Sequence, residues 1–354
     1  MSPLIAASPK CLCLLRLSAV GDACHAVAAV RALQRHLPGA RITWIVGRLE
    51  ATLVGDLPGI EFIIYDKRRG FKAWRELRAM LAGRRFDALL HMQAALRASL
   101  VSLAVPATTR LGFDRARAKD LQWLFTNAAI APLPRAHALE ALLGFAWALG
   151  APRTAPSWDI PIPDTARAFA AQHAPHEPYV VISPCSSQRA RNFRNWSAAR
   201  YTAVVDHAAA RGLRCVLTGG GTALERAYAA GITAAARSPV VDLVGRTDLK
   251  QLLAIVAGAR AVICPDSGPA HMADAVGTPV VGLYATSNKD RTGPYRSRQH
   301  CVDRYPDALQ RFMHTTVERA AWGARVRHPD AMDLITVADV TTKLDGALAA
   351  GRLS

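Results

Sequence analysis

Short apolar runs alternate with amphipathic stretches twice along this 354-residue chain, and a proline-rich break parts the two series. In the first series the apolar runs fall at residues 11–17, 41–46, 61–65, 86–92 and 109–112. Stretches with apolar residues at helical spacing lie between and after them, at 23–37, 73–82, 94–103 and 136–149. A short apolar run between two such helices reads as a strand covered on both faces, which demands a parallel sheet with right-handed crossovers. Residues 151–178 interrupt the rhythm with Pro152, Pro156, Pro161, Pro163, Pro175 and Pro178, and predict a connection that holds one short helix at 164–172. The alternation restarts with strands at 179–183, 214–218, 240–243, 261–264 and 280–284, and helices at 197–211, 224–235, 249–257 and 269–277. A last helix is predicted at 336–350. Such a chain is too long for one ordinary core. The expected architecture is α/β, with two doubly wound, Rossmann-like domains at 1–160 and 161–335 facing a central cleft. A C-terminal segment at 336–354 is expected to stand apart, able to pack back on the first domain.

Ligands of doubly wound sheets bind beyond the carboxyl ends of the strands, so the strand-to-helix junctions are where chemistry is expected. The richest junction is Val262-Ile263-Cys264-Pro265-Asp266-Ser267-Gly268-Pro269-Ala270-His271-Met272-Ala273. Asp266 and Ser267 suit a helix cap, Pro269 a first helical position, and Gly268 lets a ligand approach the backbone closely. The helix start offers N–H groups and the positive end of the dipole to a phosphate, with His271 in the first turn. Any parallel sheet has capped junctions, and the histidine is what sets this one apart. Gly21-Asp22 opens the first helix of the chain. Asp22 reads either as an ordinary N-cap or as a general base for an attacking hydroxyl. His25, on the same helix face, reads as a lining residue or as a partly exposed surface histidine. Ser183-Pro184-Cys185-Ser186-Ser187-Gln188 is followed by Arg189, Arg191 and Arg194. Hydroxyls and guanidinium forks in one loop suit a diphosphate clamp, or otherwise a solvated basic loop. Gly219-Gly220-Gly221-Thr222 is neither G-x-G-x-x-G nor a Walker A loop. Glu225 just beyond suits ribose hydroxyls, or simply the first turn of a helix. Finally, Lys67, Arg68, Arg69 and Lys72 crowd residues 66–72, as a platform for an anionic acceptor or lipid headgroups, or as a solvated turn.

The chain has 44 Lys and Arg against 27 Asp and Glu, a net charge of +17, which calls for an anionic partner. Part of that arginine excess also fits a GC-rich genome. Nucleic acid is not the expected partner, because the cations are not interleaved with aromatic stacking residues and no nucleic-acid-binding motif occurs. The seven cysteines are odd in number and mostly sit in apolar strand patterns, so they read as buried thiols in a reducing compartment. They lack metal-ligand spacing. No apolar run approaches the ~18 residues that a membrane-spanning helix needs. The ten residues before the first strand are too few for a signal peptide.

Leu14-Leu15-Arg16-Leu17-Ser18-Ala19-Val20-Gly21-Asp22, with Pro38-Gly39-Ala40-Arg41-Ile42-Thr43-Trp44-Ile45-Val46, resembles the start of glycosyltransferase family 9, the ADP-heptose:lipopolysaccharide heptosyltransferases. Ser183-Pro184, Arg194-Asn195-Trp196-Ser197, Leu217-Thr218-Gly219-Gly220, the stretch from Cys264-Pro265-Asp266-Ser267 to Thr278-Pro279, and Val281-Gly282-Leu283-Tyr284-Ala285-Thr286 resemble its second half. The resemblance reaches about residue 300 and implies a GT-B fold. It also implies an ADP-heptose donor held by the C-terminal domain, and an inverting, metal-independent transfer to a lipid-linked lipopolysaccharide core acceptor. By the same resemblance Asp22 is the catalytic base, and Asp266, Ser267, Gly268 and His271 belong to the donor motif. Arg194 stands where the family has a lysine at the diphosphate, beside Ser186 and Ser187, and Glu225 matches the ribose-binding acid. Lys67, Arg68, Arg69 and Lys72 match an acceptor-binding stretch in position and composition. No cofactor and no metal are expected. The expected setting is cytoplasmic and peripheral to an anionic inner-membrane surface, with the chain a monomer. The alternatives are a GT-B transferase for another nucleotide sugar, or a basic nucleic-acid-binding protein. The Arg- and His-rich segment after about residue 290 departs from the family pattern.

Overall fold

The apolar runs become the strands of two parallel sheets, each inside its own unit. The structure, a computed structural model, describes residues 9–186 and 192–353, and the chain divides into Met1–Pro161 and Ile162–Ser354. In the first unit β1 (Cys11–Leu15), β2 (Arg41–Gly47), β3 (Ile60–Tyr65), β4 (Phe86–His91), β5 (Ala107–Gly112) and β6 (Ala128–Ala129) pair in parallel in the order β3-β2-β1-β4-β5-β6. The helices Gly70–Met80 and Leu96–Ser102 bury Ala73, Leu77, Ala98 and Val101 in one core with Leu15, Ile45 and Leu89 of the strands. Right-handed crossovers from β3 to β4 and from β4 to β5 put both helices on one sheet face. The crossover from β1 to β2 runs the other way, so the alanine-rich helix Val20–His36 covers the opposite face, where it packs with Ala138–Ala148.

In the second unit β7 (Tyr179–Ile182), β8 (Arg214–Leu217), β9 (Val240–Asp242), β10 (Ala261–Pro265), β11 (Val280–Tyr284) and β12 (Val302–Asp303) pair in parallel as β12-β11-β10-β7-β8-β9. Numbered from its own first strand, this sheet repeats the order of the other. Each therefore has a switch point beside its first strand, between β1 and β4 and between β7 and β10, the place where sheets of this kind bind ligands.

The segment set apart at 336–354 in the sequence reading belongs to the second unit. Helix Val337–Ala350 buries Val340, Leu344 and Ala347, at i, i+4 and i+7, in a core with Trp196, Tyr201 and Val205. The segment after residue 290 is also structural. It supplies β12, helix Tyr305–Met313 and a small core of Tyr305, Ala308, Leu309, Val326 and Ala331. The basic stretch at 66–72 is a 3-10 turn, Lys67–Arg69, that runs into helix Gly70–Met80. Asp66 caps the turn by accepting from the Arg68 N–H at 3.0 Å, and Gly70 takes φ 54°, which a side chain would resist. Among the described residues no helix is long and apolar enough to cross a membrane.

Candidate active site

Strand β1 delivers Arg16 to the carboxyl edge of the first sheet, and helix Val20–His36 begins just beyond a cis Ser18–Ala19 peptide. Asp22 is the third residue of that helix, not its cap. Its carboxylate pairs with the Arg16 guanidinium and accepts from the Ala19 N–H at 3.3 Å. Arg16 is itself fixed by donating to Met92 O at 2.5 Å, just past β4, while its own carbonyl accepts from Trp44 Nε1 at 3.2 Å. One side of the Asp22 carboxylate is thus held at the switch point. The side chain remains 41% exposed, so the other side is open. A carboxylate held in one orientation with an open side can take a proton.

Glu50 escaped the sequence reading, because an acid in the first turn of helix Arg48–Val54 has an ordinary explanation. In the structure it is buried against Gly47, where a Cβ would lie 2.4 Å from Glu50 Oε2 and 2.1 Å from the Leu17 carbonyl oxygen, so no side chain fits there. Burial raises its proton affinity, opposed by its own backbone N–H and by the charges of Lys67 and Arg16. Glu50 lines a cavity of about 470 Å³ with Leu17, Gly47, Tyr65, Lys67 and Arg68. The other two cations of the basic stretch point elsewhere: Arg69 pairs with Glu76 at 2.6 Å, and Lys72 is exposed on the next helix. Arg68 also contacts Asp66 at 3.3 Å, so part of the charge that the sequence displays is neutralised locally.

Two histidines near this edge are buried. His25 lies edge-on to His137, with ring centroids 5.5 Å apart, and is not the partly exposed residue that the sequence also allowed. His91, at the end of β4, sits 3.2 Å from Ser99 Oγ. Burial, then the charges of Arg110 and Arg16, lower its pKa to about 3, so the ring is neutral.

In the second unit, the loops after β7 and β10 meet. Arg194 Nη1 donates to Asp266 O at 2.8 Å and lies 3.5 Å from Asp266 Oδ2. Its Nε donates to Asn192 Oδ1 at 3.2 Å. Asn192 Nδ2 donates to Ser186 Oγ at 2.8 Å, and Asn195 Oδ1 accepts from the Ser186 N–H at 2.9 Å. Ser186, Arg194 and Asp266 are therefore one network. Ser187, with Gln188, Arg189 and Arg191, lies outside the described residues.

Helix Gly268–Ala275 departs from its expected capping. The Asp266 carboxylate is turned toward Arg194, and the Ser267 hydroxyl donates to Pro265 O at 3.0 Å. The Ser267 side chain, at the N-cap, makes no capping bond to this helix, and Pro269 is its second residue. The Ser267 hydroxyl thus leaves the helix start to other acceptors, which suits an anion. His271 is buried in the first turn, and Asp274 lies one turn on. Burial raises the Asp274 proton affinity against the pull of Arg296 and His271. The Arg296 N–H donates to Asp274 Oδ1 at 2.9 Å, so the segment after residue 290 braces this helix.

Glu225 accepts from the Gly220 N–H at 2.8 Å, the Thr222 N–H at 2.9 Å and Thr222 Oγ1 at 2.7 Å. Burial raises its pKa, but these donors outweigh it and hold the carboxyl below its usual range. Its charge is felt by Cys185, next to Ser186. Beyond β11, the Ser287 hydroxyl is buried without a hydrogen-bond partner among the described residues. A single loop hydroxyl carries no periodic signal, so the sequence did not reveal it. Among the described residues, no three or more His, Cys, Asp or Glu are grouped to hold a metal ion.

Two α/β units of one strand order, the second with a helix start beside Arg194 that Ser267 does not cap, have the architecture of the GT-B nucleotide-sugar enzymes. Residues 74–320 match the family model "Glycosyltransferase family 9 (heptosyltransferase)". The lipopolysaccharide core heptosyltransferase OpsX of Haemophilus influenzae is 37% identical over 339 residues, 96% of this chain and 97% of that protein. The fold matches the glycosyl transferase family 9 protein of Veillonella parvula with a TM-score of 0.79 at 19% identity, over 99% of this chain and 100% of that one. It matches E. coli heptosyltransferase WaaC with ADP at 0.71 and 20% identity, over 96% and 99%. The chain belongs to glycosyltransferase family 9 and is a heptosyltransferase.

Proposed function

We propose that this heptosyltransferase moves a heptose from ADP-heptose to a lipid-linked lipopolysaccharide core acceptor, inverting the anomeric centre, with Asp22 as general base. The donor and acceptor classes follow the names of its relatives, OpsX of the lipopolysaccharide core and WaaC with ADP. The observation that carries the mechanism is the Asp22 carboxylate, held by Arg16 and the Ala19 N–H on one side and open on the other. An acceptor hydroxyl attacks the anomeric carbon and gives its proton to Asp22. The bond to the diphosphate oxygen breaks on the opposite face, and its electron pair leaves with ADP. Charge develops on the departing diphosphate, where Arg194 and the helix start at Gly268 to His271 stabilise it. Ser186, Asp266 and Ser267 shape that site, Ser187 is assigned with them, and Glu225 orders the turn that meets the ribose. Lys67 and Arg68 act on acceptor phosphates at the cavity beside Leu17, and Arg69 and Lys72 add to the field around it. Arg194 and the helix start take the place of a metal in neutralising the leaving group. The chain works as a monomer at the cytoplasmic face of the inner membrane.

A thermal-shift screen with ADP, UDP, GDP and CMP, followed by transfer from ADP-heptose in EDTA, tests the reading. ADP at 100 times its Kd should add about 2.7 kcal/mol of stability. A preference for another nucleotide, or turnover that needs Mg²⁺ or Mn²⁺ restored, would overturn it.

A further inference from the structure

Residues 1–161 carry 21 Lys and Arg against 11 Asp and Glu, and residues 67–119 alone carry 13 against 3. The rest of the first unit is therefore neutral, and its whole positive excess sits on one stretch. The same stretch holds large apolar side chains that the fold leaves in water, among them Phe71 at 71% exposed, Leu100 at 50% and Leu103 at 57%. The helices Gly70–Met80 and Leu96–Ser102 create this coincidence. Their inner sides are committed to the core, so the outer sides face solvent. There Phe71, Arg75 and Arg78 fall at i, i+4 and i+7, and Leu96, Leu100 and Leu103 repeat the spacing. Trp74 ties the two helices together. Its indole N–H donates to Leu100 O at 3.2 Å, Phe71 stacks on its ring at 5.5 Å, and the Arg78 guanidinium lies 5.6 Å from the ring centroid. A groove of about 990 Å³ includes Ala79, Ala104 and Val105, with Phe71, Arg75 and Leu103 also along it.

An exposed helix face in water is ordinarily polar. Apolar and guanidinium side chains mixed on one face match a segment at a lipid–water boundary, where rings and aliphatic chains enter below the headgroups and cations meet the phosphates. We propose that the outer face of these two helices docks on an anionic phospholipid bilayer. Phe71, Leu100 and Leu103 enter the headgroup–acyl boundary, and Arg75 and Arg78 lie on the phosphates. A second copy of this chain is the poorer occupant, because two faces of like charge would oppose each other. The proposal rests on the reading that the acceptor is lipid-linked, and it adds the surface that brings the enzyme to that lipid.

The test is co-sedimentation of the full-length protein with phosphatidylglycerol–phosphatidylcholine vesicles and with phosphatidylcholine vesicles, at low and high salt. Binding should require phosphatidylglycerol. Each basic residue at an anionic surface is worth about fivefold in affinity, so Arg75→Gln with Arg78→Gln should weaken binding about twenty-five-fold at low salt. Phe71→Ser with Leu103→Ser should weaken it about tenfold at low and high salt alike. Both variants should turn over a water-soluble, lipid-free core acceptor at the wild-type rate, which shows that they fold. A wild type that turns over the soluble acceptor yet ignores anionic vesicles overturns the docking surface and leaves the function standing. So does wild-type binding by both variants, or a dimer that Phe71→Ser with Leu103→Ser dissolves. Lack of any turnover with ADP-heptose sinks the functional reading instead, and the vesicle result still decides the surface.

Discussion

Asp22→Asn changes a charge and little else. The amide oxygen can still accept from the Ala19 N–H, 3.3 Å from Oδ2, and Arg16 keeps its bond to Met92 O. The ion pair to Arg16 and the basic oxygen are lost. With the aspartate side chain 41% exposed, water screens that pair, and it is worth about 0–1 kcal/mol. A carboxylate in a helix first turn adds about 0.3–1 kcal/mol through the dipole. The stability cost is therefore at most about 2 kcal/mol, a fall in Tm of roughly 2–8 °C for a unit of this size. A general base contributes about 10²–10⁴-fold in rate, or about 3–5 kcal/mol of barrier. The structural and catalytic roles are thus well separated in size. ADP release at saturating ADP-heptose gives kcat, calorimetry gives the ADP Kd, and differential scanning fluorimetry gives Tm. We expect kcat to fall at least about a hundredfold while the ADP Kd stays within about twofold. A kcat within about tenfold of wild type, or ADP affinity falling in step with kcat, would refute the assignment and leave Asp22 a brace for Arg16.

Two further outcomes follow from buried polar contacts. Arg194→Lys keeps a charge but loses the fork that reaches Asp266 O and Asn192 Oδ1, so the donor KM should rise about tenfold with the fold intact. Arg194→Ala should also destabilise the second unit by about 2 kcal/mol, since Asp266 stays buried without its cation; equal melting of the two variants would contradict this. His91 gives a pH signature. Below pH 6.5 the unfolded chain takes up a proton that the folded ring, with its pKa lowered to about 3, refuses, so stability is full above 6.5 and is lost as pH falls toward 3. By pH 5 the loss is about 2 kcal/mol, and denaturant unfolding of His91→Gln should lack that slope; an identical slope would assign it to other groups.

Strands that are covered on both faces are continuous apolar runs, so the main strands of both sheets were legible in the sequence. The edge strands Ala128–Ala129 and Val302–Asp303 are too short for any pattern, and helix Arg48–Val54 buries only Glu50, Leu53 and Val54. At 66–72 four cations masked a helix whose frame Ala73 and Leu77 extend back to Gly70. The candidate site divides the same way. The positions of Asp22, Ser186 and Asp266 followed from their junctions, because a doubly wound sheet directs such junctions to its own carboxyl edge. Their partners did not, because Arg194 reaches Asp266 across 72 residues and Arg16 is fixed by Met92 across 76. Capping preference is local, so it assigned Asp266 and Ser267 to the helix start. A guanidinium from another loop claimed the first, and the Pro265 carbonyl claimed the second.

The bend of the Ser267 hydroxyl toward Pro265 O has a consequence for how this enzyme can evolve. A side chain that finished the helix start would make the empty protein tougher by about 1 kcal/mol. On the proposed mechanism it would also stand on the ground that the diphosphate needs. Laboratory selection for heat resistance alone would therefore favour replacements here that survive heating and turn over slowly. By the same mechanism their advantage would shrink once ADP saturates the wild type, because the diphosphate then accepts from the helix start itself. Selection under saturating nucleotide would leave position 267 alone and find its gains elsewhere.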